Sequence, residues 1–199
     1  MSNKRRAPQQ ERGERRLAQL LEAASSVLAE LGYDAATMTE IADRAGASIG
    51  TLYQYFPNKE AVVLALRDKY AVEMADCLSQ LDEDATVGMS ARQIAYRLVE
   101  IVSGFVEGRP AYFAILDAAV KYKRSKEARN KLRERIAKVF RGKKPEISEE
   151  VAYRVVNVSL QIIKGMNVLY KEANSKEREE LVKEYREVLG GYLESRLGR

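Results

Sequence analysis

The chain has 199 residues, 46% hydrophobic and 32% charged, with a net charge of +5, a balance that supports a packed core in a water-soluble protein. It holds one cysteine, Cys77, and no histidine, which excludes intrachain disulfides, Cys/His zinc sites and histidine-activated nucleophiles. No apolar run approaches the roughly 18 residues of a membrane helix and the basic start lacks a secretory apolar stretch, so a cytoplasmic protein without metal or cofactor is expected.

Charge is unevenly spread. The first sixteen residues carry six basic and two acidic side chains, residues 17–60 two basic and six acidic, and residues 121–144 twelve basic and two acidic. Charge alone therefore points to the start and to 121–144 for anion contact, and away from 17–60.

In chain order, residues 1–14 mix charge with Pro8 and Gly13 and read as a flexible basic arm carrying Lys4, Arg5, Arg6 and Arg12, with Arg15 and Arg16 following. Leu17, Leu20, Leu21, Ala24, Val27, Leu28 and Leu31 recur at helical spacing, and Gly32 ends that helix. Thr37-Met38-Thr39-Glu40 is a capping box opening a short helix through Ile41, Ala42 and Ala45, closed by Gly46. Ser48 caps a second short helix from about Ile49 to Tyr55, and Pro57-Asn58 separates it from a longer helix beginning at Lys59. Helical patterns follow over Ile94–Phe105, roughly 111–121, 126–140 with Ala128, Leu132, Ile136 and Val139 inward, Ser148 to about Lys171, and a last helix capped by Ser175. No β-alternation appears. The chain is predicted to be all-α, with nine helices.

Two short helices joined through Ala45-Gly46-Ala47-Ser48 form a helix-turn-helix by length and turn chemistry. The stretch from Ile41 to Glu60, with Ala45-Gly46-Ala47-Ser48-Ile49-Gly50-Thr51-Leu52-Tyr53-Gln54-Tyr55-Phe56, closely resembles the DNA-binding signature of the TetR family of bacterial regulators. That resemblance covers about residues 15–62. Beyond it the chain is similar to the family only in helix order and length.

The residues carry a physical reading of their own. Gly50 and Thr51 begin the second short helix, where backbone amides with the Ser48 hydroxyl can meet phosphate. Gln54 has the amide that reads adenine in the major groove. Tyr53, Tyr55 and Lys59 suit backbone contacts, which position without specifying; the tyrosines are equally open to a half-buried packing role. Leu52 and Phe56 are expected to point inward. Thr37 and Thr39 cap their helix, and the resemblance adds phosphate contact there. Where Ile49 stands, family members often carry a basic residue, so an apolar touch to a thymine methyl is expected instead.

For the remainder the resemblance implies a helical effector-binding and dimerisation domain over 63–199, following a DNA-binding domain over 15–62. Phe105, Tyr112, Phe113, Leu116, Asn157, Gln161 and Met166 mix aromatic walls with sparse polar groups and are the candidate effector contacts. Val155, Ser159, Ile162, Tyr185, Val188, Leu189 and Tyr192, on the last two helices, are the candidate dimer contacts. The basic stretch 121–144 reads as a solvated face, or as a site for an anionic effector or a second DNA segment. The expected function is that of a sequence-specific DNA-binding repressor, a homodimer on a pseudo-palindromic operator, released by a small-molecule effector. The rivals are an effector-independent or partner-regulated DNA binder of the same fold, and an enzyme on a helical scaffold. No clustered carboxylates or other catalytic signature supports an enzyme.

Overall fold

A computed structural model describes residues 6–82, 84–122 and 126–198, with side chains from Gln10 onward. Of the arm residues, Lys4 and Arg5 lie outside the described residues, and so does the Arg6 side chain. Among the described residues there are nine helices: α1 (Arg6–Ala35), α2 (Met38–Arg44), α3 (Ile49–Tyr55), α4 (Lys59–Leu78), α5 (Ala91–Glu107), α6 (Tyr112–Asp117), α7 (Lys126–Lys143), α8 (Glu149–Glu172) and α9 (Ser175–Leu197). They divide into two compact units, one comprising residues up to Ala71 with Arg109–Tyr122, the other Val72–Gly108 with Lys123–Arg199. The sequence boundary at 62/63 thus falls inside the first unit.

The first unit forms around Leu20, Leu21, Ala24, Val27 and Leu28 of α1, Ile41 and Ala42 of α2, Leu52 and Phe56 around α3, and Val62, Val63 and Leu66 of α4. Local chemistry sets its corners. Gly32 leaves the helical region at φ 73°, which any side chain would resist, and the chain bends there. Thr37 and Glu40 complete the capping box, the Thr37 side chain accepting from the Glu40 amide at 3.2 Å. Gly46, at φ 56°, makes the turn into α3. One expectation is corrected: residues 6–14, read as flexible arm, continue α1, because the Arg, Glu and Gln in this stretch favour helix and one glycine does not stop it.

Segment 109–122 joins the first unit through Ala111, Ile115 and Ala118, which share its core, and through Arg67. Arg67, 7% exposed, donates from Nε to Ile115 O (2.9 Å), from Nη1 to Val120 O (2.7 Å), and from Nη2 to Leu116 O (3.0 Å) and Ala118 O (2.8 Å). A buried guanidinium needs acceptors, and the last carbonyls of a six-residue helix need donors; each satisfies the other. Tyr122 adds a hydrogen bond to Asp68 at 2.8 Å.

In the second unit α9 packs on α5 and α8, and α8 on α7. Ile94, Leu98 and Val102 of α5, Ile136 and Phe140 of α7, Val156, Ile163 and Met166 of α8, and Leu189 and Leu193 of α9 are buried. Gly190 lets α9 approach α5 closely: a Cβ there would stand 3.1 Å from Arg92 Cγ and 3.2 Å from Tyr96 Cε1. Arg92 is held in place by Glu187 (2.6 Å) and Glu194 (2.7 Å). Two details differ from expectation. Asn174, not Ser175, caps α9, with Glu177 completing the box, and Ala128 is exposed because the inward stripe of α7 runs through Ile136, Ala137 and Phe140.

Candidate nucleic-acid interface

Helix α3 is amphipathic on a small scale. Leu52 is fully buried and the following Phe56 is 6% exposed, which fixes the rotation of the helix. The opposite face presents Ile49 at 40% exposure and Tyr53 at 50%, with Ser48, Gly50 and Gln54 also exposed. A Cβ on Gly50 would meet nothing nearer than Ser48 Oγ at 3.9 Å. Nothing inside the protein requires a glycine there, so any demand for close approach comes from outside it. Ser48 Oγ accepts from the Thr51 amide (3.1 Å) and shares a hydrogen bond with Thr51 Oγ1 (2.8 Å), so Ser48 and Thr51 build the helix start. Thr37 and Thr39 at the start of α2 are exposed.

Two expected contacts take other places. Tyr55 is half-buried and packs on the core of the unit, the packing alternative for this residue. Lys59 turns inward: Nζ donates to the carbonyls of Tyr33 (2.5 Å), Asp34 (3.2 Å) and Ala36 (2.7 Å) and lies over the Tyr33 ring. All three ammonium protons are used on the chain end of α1. Lys59 therefore locks α4 to α1, and the expectation of a free backbone-contacting cation is corrected.

The sequence reading missed the residues that hold the turn. Arg16, counted with the basic arm, donates to Gly46 O at 3.2 Å and Ala45 O at 3.5 Å. Arg44 makes a two-pronged pair with Glu30, at 2.6 and 2.7 Å, and reaches Ser26 Oγ at 2.6 Å. The hydrogen bond from Arg44 holds the Glu30 carboxyl below its ordinary value of 4.5. Only distance in sequence concealed these contacts, which link residues 14 to 30 positions apart.

The seven candidate effector residues are divided between the two units. Tyr112, Phe113 and Leu116 belong to the first unit, and Phe105, Asn157, Gln161 and Met166 to the second. Phe105 and Met166 are core residues, Gln161 is exposed, and Asn157 accepts from Arg133 Nε at 2.6 Å. Among the candidate dimer residues, Val155, Ser159 and Leu189 are buried within the chain itself, with the Ser159 hydroxyl donating to Val155 O at 2.9 Å. Ile162, Tyr185, Val188 and Tyr192 keep exposed surface.

Residues 20–66 match the family described as bacterial regulatory proteins, tetR family, and residues 91–193 the tetracyclin repressor-like C-terminal domain. A stretch of 103 residues is 40% identical to the HTH-type transcriptional activator FasR of Mycolicibacterium smegmatis, covering 52% of this chain and 45% of that protein. Another, of 75 residues, is 33% identical to the fatty acid metabolism regulator protein of Bacillus subtilis and covers 38% of this chain and 37% of that protein. The chain thus matches less than half the length of these curated relatives. Among solved structures, a TetR-family transcriptional regulator from Streptomyces coelicolor superposes with a TM-score of 0.64 at 23% identity, covering 92% of this chain and 99% of that one. The regulator FadR from Bacillus subtilis, in complex with stearoyl-CoA, gives 0.61 at 22% identity, covering 88% and 97%.

Proposed function

Because the chain belongs to the TetR family of DNA-binding transcriptional regulators, we propose that it is a cytoplasmic repressor that reads its operator with α3 and releases it on binding a small molecule. The observation that carries this reading is the division of α3, with Leu52 and Phe56 anchoring it while Ile49, Gly50, Tyr53 and Gln54 face outward. In this reading Gln54 reads a base edge, Ile49 touches a thymine methyl, Tyr53 holds the backbone, and the starts of α2 and α3 meet phosphate through Thr37, Thr39, Ser48 and Thr51.

A homodimer would set two such helices about 34–36 Å apart, one duplex turn. Exposed apolar side chains on α8 and α9, namely Val158 (39%), Leu169 (50%) and Val188 (55%), support a partner there. Ile162, Tyr185 and Tyr192 line the same helices. Effector control is supported by the neighbours whose structures hold small molecules, FadR with stearoyl-CoA and a TetR variant from Acinetobacter baumannii with minocycline. An effector acts by favouring one domain arrangement, which typically changes operator affinity by about 1–3 kcal/mol.

The test is selection of bound duplexes from a random pool by the wild type and Gln54→Ala. The wild type is expected to enrich a pseudo-palindrome, and Gln54→Ala to relax one position in each half-site at a cost of about 1–3 kcal/mol. Enrichment of no sequence by the wild type, or unchanged preference in the variant, would remove α3 from the interface.

A further inference from the structure

Helix α7 turns Ile136, Ala137 and Phe140 into the core. Continued toward its start at four-residue steps, the stripe through Ala137 reaches Arg133 and Arg129, both part-buried. A guanidinium brings five donors and a charge that cannot be discharged, so in partial burial it calls for acceptors. Arg67 finds four. Arg133 has one, Asn157 Oδ1 at 2.6 Å, and Arg129 has none among the described residues, its Nε shielded from solvent without an acceptor. Neither forms an ion pair with a carboxylate among the described residues. Since Asn157 spends its oxygen on Arg133, its amide nitrogen is left as a donor. Arg129 and Arg133, one helical turn apart on α7, and the Asn157 amide beside Arg133 present mainly hydrogen-bond donors.

We propose that Arg129 and Arg133, with Asn157 orienting the latter, bind an anionic group (a carboxylate or a phosphate) of the effector. This rests on the effector-controlled reading and gives that effector its charge. The physical reason is reciprocal: an anion would satisfy donors the fold leaves open, and charge-assisted bonds in partial burial are the stronger kind. Asn157 also lines a depression with Glu149, Glu150, Tyr153 and Arg154, in which Glu150 is paired to Arg154 at 2.6 Å.

The test is thermal unfolding of the full chain in chloride and in inorganic phosphate at equal ionic strength, for wild type, Arg129→Met and Arg133→Met. In chloride, Arg129→Met is expected to melt no lower than wild type, because an unpartnered charge has been removed. Phosphate is expected to raise the wild-type midpoint more than that of either variant. Equal increments in all three proteins, or a large fall for Arg129→Met in chloride, would overturn the site. Stearate and coenzyme A distinguish a carboxylate from a phosphate source. Whichever binds is expected to lose about tenfold or more in affinity in each variant, while stearyl alcohol is expected to discriminate none of the three. If neither binds, the phosphate arm decides. Operator affinity is read separately. A probe that binds through the arginines without releasing operator keeps the anion site and ends effector control. Release by stearyl alcohol that both variants retain, with no phosphate increment in wild type, does the reverse.

Discussion

At the scale of single residues, Lys59 and Gln54 look interchangeable as polar groups near a helix-turn-helix, and burial separates them. Gln54 is exposed, whereas Lys59 serves three carbonyls at the end of α1. Lys59→Ala is therefore expected to lower stability by about 1–3 kcal/mol through orphaned carbonyls, seen as a lower melting midpoint, while the slope of log affinity against log salt stays unchanged. A slope reduced by about 0.9 would instead mean that Lys59 neutralises a phosphate. Glu30 supplies a pH signature. Its carboxyl is held below 4.5 by the Arg44 hydrogen bond, so the folded state binds this proton more weakly than the unfolded chain. The stabilisation is thus present above the ordinary value and is lost as pH falls through the depressed one. Melting midpoints of wild type and Glu30→Gln, measured from pH 6 to pH 3, are expected to converge as the pH drops.

At the scale of elements, the telling case is α6. Its six residues are too few to be stable alone, and four hydrogen bonds from Arg67 on α4 bind its end to the first unit. Arg67→Ala removes all four and leaves buried carbonyls behind, so a loss of about 3 kcal/mol is expected. Hydrogen exchange is expected to rise across 112–122 before it rises in α1; equal protection in both proteins would show that apolar packing alone holds the segment. The α5–α9 contact combines a small residue, Gly190, with the Arg92 pairs to Glu187 and Glu194. Gly190→Leu would drive a side chain into Arg92 and Tyr96, which Glu187 and Glu194 hold in place. A cost of about 1–3 kcal/mol is expected in chemical denaturation.

At the scale of the whole molecule, the proposed homodimer would link DNA reading to association, because two half-sites are contacted only by two copies. Val188, 55% exposed on α9, tests this link. Val188→Glu is expected to leave the chain folded by circular dichroism, to shift its mass in light scattering from dimer to monomer, and to weaken operator binding about tenfold or more. Leu189→Glu, one position along, would instead put a charge at a fully buried site and is expected to unfold the second unit. The difference between two adjacent residues expresses the rotation of α9.

The sequence by itself determined the all-helical class, the caps at Thr37, Ser48 and Ser148, the turns at Gly32 and Gly46, and the inward pair Leu52 and Phe56. These depend on φ preferences, side-chain-to-amide bonds three residues apart and apolar periodicity, all of which act within a few residues along the chain. Only the tertiary structure decided that Lys59, Arg16 and Arg44 hold the helix-turn-helix together, that Arg67 ties 109–122 to the first unit, and that Val155, Ser159 and Leu189 face inward. A long polar side chain can serve solvent, backbone or ligand with the same local pattern. Which of these it serves depends on carbonyls and carboxylates brought near by folding, from positions up to 102 residues away.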